Sequence, residues 1–515
     1  MLEFLDLEYI KMVKIVDFIN KSVKPVSLDE IAKHIKIVKK TAYTLLVLME
    51  SELKDFDIEI KMNNDKEYYL ENTCENKKQR NDVNLDAFVL ACGKKSIVFS
   101  MVEELYHKGH IHVANFCESK YISPATFSRA KKQLMRILEK SNLTLATHLK
   151  GGIVGDEYYI RLFYFQFFTS FYNSIEWPFQ QNQKIEVERF YQEKIKSMTN
   201  ELNFMQKHKL YYLILIIKKR LIQNNILLEN TYLFNELKGY NEIYKIYEEY
   251  LNNQSIFSKK HVAYETNFFM YMIYAERITS IKKDALGSFM LFSYDNNKCL
   301  RINQIWVEEF KRIFNQQISL NDELQIYQDL YILNQRYDLS LNRSSVFSKY
   351  ENNLNPIILN QKIYQQTTRF YHKLLENKEF SDFIKSQGLE ICEKIVIEKY
   401  YYYIYTYLFN QKEIKPIKIF MSDTFDLLSE QLIKKKLLLL FGGNIEIQSQ
   451  LNSQTNLILT NSSMEQNCSE EFMIYSHKDL SSLKKIVYII QEKIYAQIND
   501  CEGNEMGESY VENRG

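Results

Sequence analysis

Arg129, Lys132, Gln133 and Arg136 recur at steps of three and four residues, the spacing that puts side chains on one side of a helix. Cations in such a row can neutralise phosphates, and the polar side chains of Thr126, Ser128 and Gln133 beside them can reach base edges. Between residues 120 and 140 six Lys or Arg stand against one acid, Glu139, in a chain whose net charge is only +1. That local excess suits a polyanion.

The elements that must hold this row can be read around it. Ser123 is a suitable N-cap, and Pro124 at the first helical position gives up an N–H that has no intrahelical partner there. Phe127, Ala130, Leu134 and Leu138 supply the packing face. A short helix around residues 112–119 and a tight Lys120-Tyr121-Ile122 turn come first, so Phe116 to Leu138 reads as a helix-turn-helix whose second helix can enter the major groove. The competing reading is an amphipathic helix with a solvated basic face; the helix and turn before it weigh against that.

Residues 26–50 repeat the pattern. Leu28, Ile31, Ala32 and Ile35 mark one short helix, and Thr41, Ala42, Leu45, Leu46 and Met49 a second. Lys39, Lys40 and Thr41 fall at its exposed start as further DNA-contact candidates, and Lys36 holds a turn position where glycine would be comfortable. Each unit is followed by a predicted hairpin able to act as a wing: 56–62 with 67–70 around Asn63-Asn64-Asp65-Lys66, and 143–149 with 153–154 around Gly151-Gly152. The polar stretch 72–84 between them reads as a linker.

The rest of the composition narrows the class. With 46% hydrophobic and 25% charged residues the chain is globular. Its apolar runs, such as 210–217 and 437–441, are too short to span a bilayer, and acids at Glu3, Asp6 and Glu8 do not fit a secretory leader, so a cytoplasmic location is expected. Seven scattered cysteines without a C-x-x-C pair argue against a disulfide framework or a zinc site. No glycine-rich phosphate loop, H-E-x-x-H or G-x-S-x-G occurs, so neither an enzyme nor a cofactor or metal site is expected.

From residue 156 to about 395 nearly every window has helical period, and 160–171 is aromatic enough to require burial on most sides. Pro178, Pro356 and Pro416 and Asn-rich loops near residues 252 and 296 punctuate this region, which divides into two bundles near residue 285. After Ile417 the pattern changes to short strands and helices: strand 417–421, helix 425–440, strands 445–447, 457–460 and 472–475, and helix 480–498. The tail, 501–515, is polar and acidic and reads as disordered.

Tandem winged units, the Ser123-Pro124-Ala125-Thr126-Phe127-Ser128-Arg129 run, and Gly155, Glu157 and Arg161 resemble the Mga/AtxA family of virulence regulators from Gram-positive bacteria along essentially the whole chain. The resemblance implies a mainly α, multidomain protein: winged helix-turn-helix domains at 1–72 and 73–160, PRD-like helical domains at 161–285 and 286–395, an enzyme IIB-like α/β domain at 396–500, and the tail. It further implies a transcription factor on promoter DNA, its second winged unit the main reader, tuned by histidine phosphorylation from the sugar phosphotransferase system through HPr or enzyme II components, and dimerising through the IIB-like domain. His208 and His261 would belong to the first regulatory domain and His372 to the second. A IIB domain transfers phosphate from a Cys or His just after its first strand; Met421-Ser422-Asp423-Thr424 stands there, so transfer chemistry is not expected. Two alternatives stay open, an RNA-binding antiterminator with the same regulatory domains and a phosphorylation-responsive scaffold. About 150 helix-rich residues before the centre, in place of a short β-rich RNA module, count against the first.

Overall fold

The computed structural model describes residues 1–22, 24–73, 85–146, 152–172, 175–198, 202–227, 242–253, 259–276, 278, 298–319, 322–323, 326–327, 329–330, 361–386, 393–410, 415–422, 427–448, 450–452, 454–460, 471–474 and 485–494. The chain divides into two compact units, Met1–Tyr401 and Tyr402–Gly515.

The first unit begins with a 3-10 turn, Leu2–Phe4, and α1, Leu7–Lys21, a helix not anticipated from the sequence. β1 (Val26–Ser27), α2 (Leu28–Ile35), α3 (Lys39–Lys54), β2 (Ile58–Met62) and β3 (Glu67–Asn72) complete a winged helix-turn-helix. Ser27 closes a capping box with Glu30, which satisfies two otherwise orphan donors at the start of α2. The wing is a three-stranded antiparallel sheet in the order β1-β3-β2, because Val26 and Ser27 pair with Tyr68 and Glu67. Its turn follows from Asn63, whose side-chain oxygen accepts from the N–H groups of Asp65 and Glu67 at 3.0 and 2.8 Å.

The second winged unit contains α4 (Asp86–Lys95), α5 (Ile97–Lys108), α6 (Val113–Ser119), α7 (Pro124–Glu139), β4 (Thr144–Leu145) and β5 (Ile153–Val154). Most of the expected linker, 74–84, and the tip of the second hairpin, 147–151, lie outside the described residues. The strands at its base pair antiparallel, Thr144 with Val154 and Leu145 with Ile153. Gly152 lies so close to the end of α5 that a Cβ there would come within 2.4 Å of the Gly109 carbonyl oxygen, so only glycine fits without a shift of backbone.

The two winged units are fastened to each other and to the helix that follows, α8 (Glu157–Phe171). Phe4 is fully buried against the edges of Phe167 and Phe171, with ring centroids 5.6 Å away in each case. The Asp6 N–H donates to the Ser96 hydroxyl at 3.0 Å, Lys95 pairs with Glu52 at 2.9 Å, and Phe56 meets Phe88 edge-on. The N-terminal segment thus acts as an apolar plug, and one continuous core runs from Met1 to Ile278.

That core also takes in α9 (Gln181–Phe190), α10 (Phe204–Ile222), α11 (Glu242–Asn252) and α12 (Lys259–Ala275). As expected from its composition, α8 buries ten of its side chains, Arg161 among them. Farther on, α13 (Lys298–Ile313), α14 (Gln361–Glu376), α15 (Lys378–Ser386) and α16 (Glu393–Asn410) follow. Trp306 packs on Phe310, Phe370 and Tyr400 within the first unit. The expected division near residue 285, Pro356 and the loop near residue 296 lie outside the described residues.

The second unit contains β6 (Ile417–Ser422), α17 (Leu427–Phe441), β7 (Ile445–Gln448), β8 (Leu457–Thr460), β9 (Glu471–Ile474) and a helix at 485–494. The sheet is parallel, in the order β7-β6-β8-β9. Ile419, Leu457 and Leu459 of its central strands are fully covered, by residues that include Ile433, Leu437, Ile486 and Ile490. Asp423 and Thr424 and the tail 501–515 fall outside the described residues.

Candidate nucleic-acid interface

Helix α7 starts as its sequence dictates. Ser123 has extended backbone, its Oγ accepts from the Thr126 N–H at 3.1 Å, and Pro124 occupies the first turn. Phe127, Ala130, Leu134, Ile137 and Leu138 are buried. Ser128, Arg129, Lys132 and Arg136 are exposed on the far side, and no described acid holds Arg129, Lys132 or Arg136 in an ion pair.

Two residues expected on this face are engaged elsewhere. The Thr126 hydroxyl lies 2.9 Å from Ser123 Oγ, within the cap. Gln133 is half-buried and donates from Nε2 to the Glu3 carbonyl at 2.7 Å, while Lys140 pairs with the Glu3 carboxylate at 2.6 Å. Gln133 therefore ties α7 to the N-terminal plug. Nothing in the sequence around Gln133 signals a partner 130 residues away.

In the first unit Lys39 and Lys40 are exposed and Thr41 is half-buried. Lys39 forms an ion pair with Asp29, across the turn in α2. Lys36 does occupy the left-handed conformation, at φ 60°, and Tyr121 does the same in the second turn, at φ 53°.

These two turns belong to a duplication with a fixed offset of 85 residues. Ile37 N–H donates to the Ala32 carbonyl, and Ile122 N–H to that of Cys117, at 3.0 and 2.9 Å. At the far ends of α3 and α7, Asp57 and Asn142 sit at φ 59° and 51°, and their N–H groups reach Lys54 and Glu139. The outer faces of the two helices can therefore be compared position by position. Thr44, Val47 and Ser51 in α3 stand where α7 carries Arg129, Lys132 and Arg136.

Behind the second wing lies a buried ionic quartet. Arg161, fully buried in α8, donates through Nη1 and Nη2 to both oxygens of Glu265 in α12, through Nε to Glu157 at 2.9 Å, and through Nη2 to the Asn225 carbonyl at 2.9 Å. Arg220 in α10 completes it with two hydrogen bonds to Glu157, at 2.9 and 2.7 Å. Burial alone would push the Arg161 guanidinium down, but Glu265 and Glu157 hold it firmly protonated. Gly155 precedes the quartet at a positive φ of 153°, where a Cβ would meet Leu143 at 2.6 Å. The residues that carried the family resemblance, Gly155, Glu157 and Arg161, thus join the second winged unit to the helices behind it.

The three histidines differ in setting. His372 is exposed, with Nε2 2.8 Å from Glu393 Oε1. His208 is half-buried among Phe204, Tyr212 and Trp177, its Nδ1 is buried without a hydrogen bond among the described residues, and burial, aided by Lys184, lowers its pKa. His261 is half-buried on α12. In the second unit Ser422 ends β6. Among the described residues no helix is long and apolar enough to cross a membrane, and no group of acids, histidines or cysteines could hold a metal.

Residues 81–168 match the Mga helix-turn-helix domain. The chain is also 25% identical over 243 residues to the capsule synthesis positive regulator AcpB of Bacillus anthracis, a match covering 46% of this chain and 48% of that protein. It therefore spans about half the length of this curated relative. The matched domain runs from before α4 into α8 and so contains the capped cationic helix, its turn, the wing and half of the quartet. This domain and this relative support the resemblance to the Mga/AtxA family.

Proposed function

We propose that this protein is a DNA-binding transcriptional regulator that docks α7 in the major groove. The observation that carries this reading is the exposed stripe of Arg129, Lys132 and Arg136, unpaired among the described residues, on a capped helix behind a helix-turn-helix turn. An unpaired cation gains a phosphate partner without first giving up an internal one. The name of AcpB, a positive regulator, is in keeping with transcriptional control.

In the same reading, regulation comes from phosphoryl transfer to a histidine by HPr or enzyme II components. His372 is the best placed of the three, since Glu393 can hold one ring nitrogen and leave the other to attack phosphorus. Phosphorylation at the free nitrogen would add charge of about −2 to a ring already held by the Glu393 carboxylate, so that two negative groups then share one imidazole. Self-association through the α/β unit, whose described sheet is parallel, completes the proposal.

The test is fluorescence anisotropy of the full-length protein on duplex DNA from upstream of its own coding region, with a shuffled duplex and single-stranded RNA, over a salt series. The expected result is duplex binding whose log–log salt slope falls by roughly 0.9 for each phosphate-neutralising cation deleted, in Arg129→Ala, Lys132→Ala and Arg136→Ala. Equal slopes for wild type and the triple variant, or a preference for RNA, would overturn the assignment. Incubation with phosphoenolpyruvate, enzyme I and HPr should label the wild type and spare His372→Ala; no label on the wild type removes the phosphorylation arm.

A further inference from the structure

The two halves of the duplication differ in chemistry. The outer side of α3 has the backbone and turn of a reading helix, yet Thr44, Val47 and Ser51 replace the three cations of α7. Tyr43 is 55% exposed, Val47 50% and Leu48 45%. The Thr44 hydroxyl donates to the Lys40 carbonyl at 3.0 Å, which leaves its methyl group as the uncommitted part of the side chain. The middle of α3 is thus an apolar surface facing away from its own core.

Its surroundings decide what that surface fits. Lys36 and Lys40 stand exposed at the N-terminal end of α3, beside Lys39. An apolar strip with cations at the end from which a reading helix enters DNA matches a major groove lined with methyl groups between two rows of phosphates. Among the base edges of that groove, the C5-methyl of thymine is the apolar group. Resting on the DNA-binding reading above, we infer that α3 is a second reading helix, selective for thymine through methyl contacts by Tyr43, Thr44 and Val47. The protein then carries two readers of different chemistry in one compact unit, α7 gripping phosphates and polar edges and α3 sensing methyl groups.

The experiment uses a duplex selected by the full-length protein from a randomised library, and the same duplex with each thymine in turn replaced by deoxyuridine, which removes only the methyl. The expected result is a loss of roughly fourfold in affinity for each methyl buried against α3, from about 0.8 kcal/mol per buried carbon. At one or more of those positions, Val47→Ala should bind the thymine and uracil duplexes equally. Val47 is half-exposed and its replacement leaves the core intact, which an unchanged melting temperature checks; Val47→Thr, of the same shape, should keep part of the discrimination. Equal wild-type affinity for thymine and uracil duplexes would overturn the inference, as would undiminished discrimination in Val47→Ala. A change of oligomeric state in Val47→Ala with discrimination intact would make the strip a protein interface and also overturn it. Failure of the wild type to enrich any duplex would instead sink the DNA-binding reading.

Discussion

Replacing Arg161 by methionine keeps much of the side-chain volume and deletes the charge at the centre of the quartet. Glu265, 1% exposed, would lose both hydrogen bonds to Arg161 and keep, among the described residues, only the Leu227 N–H at 3.1 Å. Glu157 would keep Arg220. The variant therefore strands one buried carboxylate, at a cost of about 3–5 kcal/mol. The Asn225 carbonyl loses its Arg161 donor in either case, and Arg161→Met with Glu265→Met removes both charges and strands in place of the carboxylate the Leu227 N–H, worth about 1–3 kcal/mol. The double variant should thus recover part of the stability that the single one forfeits. Urea unfolding followed by tryptophan fluorescence is the assay, because both tryptophans, Trp177 and Trp306, lie in Met1–Tyr401 and report that unit alone. A destabilisation below about 1 kcal/mol in Arg161→Met, or a double variant as unstable as the two single effects added, would refute the quartet as a coupled unit.

Two further outcomes follow from the geometry. Ser123→Ala should cost about 1 kcal/mol by leaving the Thr126 N–H without its acceptor, read as a lower urea midpoint; no change would mean that water replaces the cap. His208 has its pKa held below 6.5 by burial and Lys184, so the unfolded chain takes up its proton first. Stability should therefore fall as pH drops from 6.5 through the depressed folded value, and His208→Gln should flatten that fall in a thermal-melting series. Glu103, raised chiefly by burial, acts in the opposite sense, favouring the fold as pH falls, so the difference between wild type and variant is the quantity to compare.

What the sequence determined by itself was local. Ser123, Pro124 and the apolar spacing of Phe127, Ala130, Leu134 and Leu138 define α7 because capping and helical period act within a few residues. Lys36 was legible as a strained turn for the same reason, and Asn63 as the origin of the first wing's turn. Tertiary structure decided what depends on distant residues. Only three of 28 paired positions in the duplication are identical, Ile37, Thr41 and Leu53 with Ile122, Thr126 and Leu138, so its common geometry rests on buried bulk and turn conformation. Gln133 looked like a base reader because its spacing is that of its neighbours, but the buried N-terminal plug offers it a carbonyl 130 residues away in sequence. Gly155, Glu157 and Arg161 could be noticed in the sequence, but their roles rest on Leu143, Arg220 and Glu265, and a buried charge finds its partner by the desolvation it must offset, whatever the separation along the chain.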